Sequence, residues 1–146
     1  MTMAAQDSTL VAQQTTPLRV AGGIALAAIG SVAVNAVIAM LAHAAGASDE
    51  FMPLTIGAYG FLSVVGVLIA AIGWAVIRRA AKQPAAVFRW LVPTIVVVSL
   101  IPDVLLLTGE GQPGTGIVAV VALMLMHVAV AAVAVPIFRR VMPLPR

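Results

Sequence analysis

Two ionisable side chains interrupt otherwise apolar runs of this chain, and they are the residues best placed to do chemistry: Asp103 and His127. A carboxylate at membrane depth costs roughly 2.5–3.5 kcal/mol on insertion scales, so Asp103 needs a partner or a proton. His127, within Met124-Leu125-Met126-His127-Val128, carries the side chain whose charge changes near neutral pH. Ser99 lies one turn before Asp103 on the same helical face. Between them Pro102 has no backbone N–H, which frees the carbonyl of Val98 to accept another donor. Asn35, Tyr59 and Ser63 place further polar groups in the two preceding runs.

Two kinds of chemistry follow from this set. In one, Asn35, Ser63, Ser99 and His127 bond one another or backbone carbonyls and hold helices in register, at about 0.6 kcal/mol per bond. In the other, the groups line a small pocket open to the outer face, where Asp103 and His127 exchange a proton or contact a polar ligand. A metal or haem has no diagnostic ligand spacing here, and the reading includes no cofactor and no metal. Gly111-Gln112-Pro113-Gly114-Thr115-Gly116 has the glycines of a phosphate loop, but Ile117 and Val118 stand where Lys and Ser/Thr would be needed, so it reads as a turn. Zero cysteines exclude disulfides and thiol relays.

The elements that must position these groups are set by composition. With 62% hydrophobic and 9% charged residues and a mean hydropathy of +1.14, the chain has far more apolar surface than a soluble domain could cover. Four apolar runs, residues 20–44, 54–77, 90–107 and 116–138, each meet or approach the ~20 residues needed to cross ~30 Å of hydrocarbon. All eight basic residues flank these runs on one side: Arg19; Arg78, Arg79, Lys82 and Arg89; Arg139, Arg140 and Arg146. Asp49, Glu50 and Glu110 occupy the other connections, so both termini and the middle loop belong in the cytoplasm. The net charge of +3 is thus a topology signal and not a sign of nucleic acid, and membrane lipids are the expected contacts. Seven Arg to one Lys, with abundant Ala, Val and Gly, is the bias of a high-GC bacterial genome.

Short connections force sequential antiparallel neighbours. The expected fold class is all-α, a four-transmembrane-helix up-down-up-down bundle, N-in and C-in, spanning residues 18–140. Residues 1–17 lack hydrophobic period and read as a disordered cytoplasmic tail. Residues 141–146 form a second cytoplasmic tail. Ala42-His43-Ala44 resembles a signal-peptidase site, but the preceding apolar run is too long for a signal peptide, so the first span is expected to be retained. Trp74, Phe88, Trp90 and Phe138 at one end, and Phe51, Tyr59 and Phe61 at the other, read as interfacial aromatic belts. Gly22, Gly23, Ala27 and Gly30 on the first run, and Gly66, Ala70 and Gly73 on the second, read as helix-packing surfaces, with a homo-oligomer interface as the sharper alternative. Counting inward at 1.5 Å per residue puts Asp103 roughly 6–8 Å below the outer boundary, Asn35 roughly 13 Å and His127 roughly 16 Å.

Asn35, then Ser99-Leu100-Ile101-Pro102-Asp103, then Met126-His127-Val128-Ala129 followed by Pro136, make the chain resemble an uncharacterised family of four-helix integral membrane proteins of actinobacteria, a domain of unknown function. The resemblance implies no activity. Small multidrug transporters resemble the chain in length and span count but use a glutamate in the first helix, where Asn35 stands. The expected role is therefore that of a multi-pass protein of the bacterial plasma membrane with no assignable enzymatic activity, serving a structural, accessory or small-ligand-binding purpose. Its partners would be lipids, a second copy or another membrane protein. A small proton-coupled carrier using Asp103 and His127 is the alternative, and an enzyme on lipid-like substrates comes third.

Overall fold

The computed structural model describes residues 16–108 and 112–145. The chain forms four long helices: α1 (Pro17–Ala44), α2 (Ile56–Ala80), α3 (Pro84–Leu105) and α4 (Ile117–Val141). No strand occurs among the described residues. Every one of the four is long and apolar enough to cross a membrane. The expected tail of residues 1–17 lies outside the described residues except for Thr16 and Pro17, as do Glu110 and Arg146. Thr16 and Pro17 begin the first helix: Pro17 occupies the first turn, where its missing N–H costs nothing, and the Thr16 hydroxyl accepts from the Arg19 N–H at 3.4 Å. At the other end of α1, Gly46 adopts φ +96° and the Ala47 N–H reaches back to the Ala42 carbonyl at 2.9 Å, which ends the helix and closes its last carbonyls.

What each helix buries shows how the bundle is built. The buried face of α1 is Gly23, Ala27, Ser31, Asn35 and Ala39, a row at four-residue spacing made only of small or polar side chains. That of α2 is Tyr59, Ser63, Val67 and Ala71, again every fourth residue. Bulky groups such as Leu26, Ile29, Met40, Phe61, Leu62 and Ile69 point outward. This distribution suits lipid, which solvates large apolar groups as well as a protein core does, while small residues inside let backbones approach. The approach is closest between α1 and α4, where a Cβ on Gly23 would lie 2.6 Å from Val141 Cγ1, and one on Gly30 3.1 Å from Val133 Cγ1.

Helix α1 therefore packs most extensively on α4 and next on α2, while α3 leans on α4 and has little contact with α2. The small-residue expectation holds for Gly23, Ala27 and Gly30; at Gly22, Gly66 and Gly73 an added Cβ would meet nothing within 4 Å, and Ala70 is exposed. The aromatic expectation also needs correcting. Trp74, Phe88 and Phe138 are buried together, with Trp74 stacked on Phe88 at a 4.0 Å centroid separation and Phe138 tilted against it at 5.9 Å. The Trp74 indole N–H donates to the Met142 carbonyl at 3.0 Å, so its polar edge is satisfied inside and has no need of an interface. Phe51 and Tyr59 are likewise buried, leaving Trp90 and Phe61 exposed. Residues 142–145, which belong to the expected cytoplasmic tail, fold back over the end of α2: Met142 is buried, and the Pro143 carbonyl accepts from Arg78 Nη1 at 3.4 Å.

The interior consists of two apolar clusters. One gathers Ala27, Val67, Ala71, Trp74, Phe88, Ala134, Phe138 and Met142 at the end where Arg78, Arg79, Arg139 and Arg140 close α2 and α4. The other gathers Ala39, Ala42, Phe51, Leu54, Tyr59, Ala119, Ala122 and Met126 near Asp49 and Glu50. Gly114, at φ +74°, sits against Ser48 and the Phe51 backbone at this second end and ties the two connections together.

Candidate functional site

Between the two apolar clusters every helix contributes a polar side chain. On α1 and α2, the Asn35 side-chain amide donates to Ser63 Oγ at 2.8 Å, with both residues buried. On α3 and α4, Asp103 Oδ2 lies 3.0 Å from His127 Nδ1. The antiparallel register of α1 and α4 shows that these pairs share a level. Gly30 faces Val133, so Asn35, five residues on, is level with Val128, five residues back and adjacent to His127. Asn35, Ser63, Asp103 and His127 thus form one layer, divided into two interhelical pairs with no hydrogen bond from one pair to the other among the described residues.

His127 carries a proton on Nδ1. Its Nδ1 also lies 3.0 Å from the Leu123 carbonyl, one turn back on α4. A carbonyl only accepts, so Nδ1 must carry the proton. The N–H points at Leu123, and Asp103 Oδ2 meets it off-axis, as a close electrostatic contact without an aligned donor of its own. With Nδ1 committed to these contacts, Nε2 is the ring atom without a hydrogen-bond partner among the described residues. The imidazole is 40% exposed, whereas the Asp103 side chain is only 8% exposed. The carboxylate is therefore enclosed and the ring half-open.

The pairing also moves Asp103. It lies two residues from the end of α3, while His127 lies ten residues into α4. At 1.5 Å per residue, α3 stops about 12 Å short of the N-terminal end of α4, so Asp103 lies level with His127 rather than beyond it toward that end. Helix α3 buries only Pro84, Phe88 and Asp103. It is held at one end by the Phe88–Trp74 stack and at the other by Asp103 on His127.

Two of the six sequence candidates stand apart. Ser99 Oγ donates to the Val96 carbonyl at 2.7 Å, within its own helix, and joins neither pair. Tyr59 packs into the apolar cluster near Asp49 and Glu50, with Ala122 and Met126. A seventh residue was not anticipated: Ser31 is fully buried, one turn from Asn35 on the same face, and neither its hydroxyl nor Asn35 Oδ1 has a hydrogen-bond partner among the described residues. The signal for it was present in the four-residue spacing to Asn35. Two open grooves lie elsewhere. One of about 340 Å³ runs between α1 and α4 past Ile38, Leu41, Val121 and Leu125, and one of about 560 Å³ lies on α2 beside Ile72, Val76 and Arg79. None of the six candidates lines either.

Against known families, a model described as a family of unknown function, DUF6069, matches residues 14–143. The chain belongs to that family. The match takes in all four helices and both polar pairs, so a DUF6069 domain is here a bundle of four membrane-span-like helices. No curated protein and no solved structure matches the chain.

Proposed function

We propose that this DUF6069 chain is a multi-pass protein of the bacterial plasma membrane, with both termini in the cytoplasm and a structural, accessory or ligand-binding role. The basic end of the bundle, with Arg78, Arg79, Lys82, Arg89, Arg139 and Arg140, supports the cytoplasmic assignment. The observation that carries the role is the division of the polar layer into two interhelical pairs, one of which pins the outer end of α3. An accessory protein of this kind presents a fixed surface to lipid or to a neighbouring membrane protein. The test is a comparison of Asp103→Asn, His127→Ala and the double variant in detergent. Both single variants should lower the unfolding temperature, and the double should cost less than their sum because each removes the partner of the other. Strict additivity would refute the pairing.

A proton-coupled carrier is the second reading, favoured by an enclosed carboxylate beside a half-open imidazole. It predicts that Asp103→Asn leaves the fold unchanged and abolishes a pH-dependent phenotype of a deletion strain. Cysteine labelling checks the orientation common to both readings: positions 48 and 112 should react from outside intact cells, and 82 only after permeabilisation.

A further inference from the structure

The basic end of the bundle holds six cations that the described residues do not neutralise. Arg78, Arg79, Lys82, Arg89, Arg139 and Arg140 lie there, and none of the six is in an ion pair among the described residues. The described carboxylates are elsewhere: Asp49 and Glu50 in the α1–α2 connection, and Asp103 beside His127. Arg78 is committed in another way, since its guanidinium donates to the Pro143 carbonyl of the folded-back segment. Arg79, next in sequence, is exposed and makes no hydrogen bond among the described residues. It lines the open groove of about 560 Å³ on α2, together with Ile72, Ala75, Val76 and Ala80. Ile72, Val76 and Arg79 follow one another at spacings of four and three, so they share one face of the helix. Helical side chains lean toward the N-terminus of their helix, which carries the Arg79 stem back over the turn of Ala75 and Val76, toward the bilayer. The groove is thus apolar along its length and cationic at its end.

We propose that this face of α2 binds one anionic phospholipid of the cytoplasmic leaflet, with its phosphate on the Arg79 guanidinium and an acyl chain along Ile72, Ala75 and Val76. Both halves of the occupant are read from the groove. Its apolar wall takes a hydrocarbon chain, and its unneutralised guanidinium takes an anion, whose oxygens match the planar fork of donors in pairs. A zwitterionic headgroup would bring a cation of its own beside five further basic residues, so a net negative headgroup is selected. The end of α2 sharpens the dependence on Arg79. A helix C-terminus is the negative pole of its dipole, so a phosphate there is held by the arginine against the helix and not by the helix. The site presupposes the orientation proposed above, with this end of the bundle among the anionic headgroups of the cytoplasmic leaflet.

Photo-crosslinking locates such a lipid directly. The full chain would be placed in phosphatidylcholine nanodiscs containing a graded fraction of phosphatidylglycerol that bears a diazirine on its acyl chain, then irradiated and mapped by mass spectrometry. Adducts should concentrate on Ile72, Ala75 and Val76 and saturate as the probe fraction rises. Unlabelled phosphatidylglycerol should compete, and additional phosphatidylcholine should not. Arg79→Gln should weaken binding by about tenfold or more, the scale of a lost hydrogen bond to a charged group. Arg139→Gln removes the same charge from the same end and should cost about fivefold at most, the share of one basic residue in a surface field. Arg79→Lys, which keeps the charge and loses the fork, should fall between them. Both arginines are exposed, so these variants leave the packed interior intact. Adducts spread around all four helices, equal competition by phosphatidylcholine, or equal losses at positions 79 and 139 would each overturn the site. So would an adduct yield that falls when nanodiscs carry two copies instead of one, since a second copy would then be the occupant of this face. Any of these results in a chain whose positions 48 and 82 still label from opposite sides removes the lipid site and leaves the membrane assignment standing.

Discussion

Adding a single methyl group at Gly23 should loosen the bundle, while the same group one residue earlier should tighten it. At Gly23 the new Cβ would lie 2.6 and 2.7 Å from the two Val141 γ-carbons and 3.0 Å from its Cβ, whereas at Gly22 nothing lies within 4 Å. Valine is stiff at χ1, so Val141 has no easy rotamer in which to withdraw. Both substitutions gain the same helix propensity, about 0.8–1.0 kcal/mol for alanine over glycine. That gain cancels in the comparison. The difference between the two variants is then the cost of overpacking, about 1–3 kcal/mol. Gly23→Ala is expected to be net destabilising by up to about 2 kcal/mol and Gly22→Ala stabilising by up to about 1 kcal/mol. Equilibrium unfolding in mixed detergent micelles would measure both. Val141→Ala, which removes both clashing γ-carbons, should recover most of the loss at Gly23 and do nothing for Gly22→Ala. Equal stability of the two alanine variants would show that α1 and α4 do not meet at Gly23, and would undo the register that places Asn35 level with His127.

Three further outcomes can be checked. A double-mutant cycle on Asn35→Ala and Ser63→Ala should give a coupling of about 0.6 kcal/mol, the average for interhelical hydrogen bonds in membranes, by thermal unfolding in detergent. Trp74→Phe keeps the aromatic packing but removes the donor to the Met142 carbonyl; it should cost about 0.5–1.5 kcal/mol and increase the mobility of a spin label at position 144. Gly114→Ala combines a left-handed backbone with a Cβ 2.7 Å from Ser48 Oγ and 2.9 Å from the Phe51 nitrogen, so it should loosen the contact between the α1–α2 and α3–α4 connections, seen as faster amide exchange at Phe51.

Hydropathy made the four helices legible, because a span of lipid-crossing length leaves few other options. Asn35, Asp103 and His127 were legible as groups needing partners for the same reason. Their pairing was not, because it depends on where α3 ends. Depth counted from the apolar run put Asp103 well above His127, but the helix stops at Leu105 and the apolar residues beyond it belong to a turn. Hydropathy does not distinguish a helix from an apolar turn. Ser99 misled for a local reason, since its hydroxyl bonds its own helix. The aromatic residues misled because Trp74 found an acceptor in the folded-back Met142 carbonyl, a contact sixty-eight residues distant in sequence. The small-residue rows on α1 and α2 look alike as strings, and only the fold shows that one is used and the other open.

The early end of α3 also changes the shape that the bilayer meets. Alongside the first residues of α4 the long helices number three, α3 having ended at Leu105 and passed into turns over residues 106–108. A turn presents lipid with a smaller cross-section than a helix, so the protein area is expected to be larger in the leaflet on the side of the arginines. A copy inserted in a flat membrane displaces more lipid from one monolayer than from the other, and a dense array of copies would relieve that imbalance by bending the sheet so that the arginine-bearing face is convex.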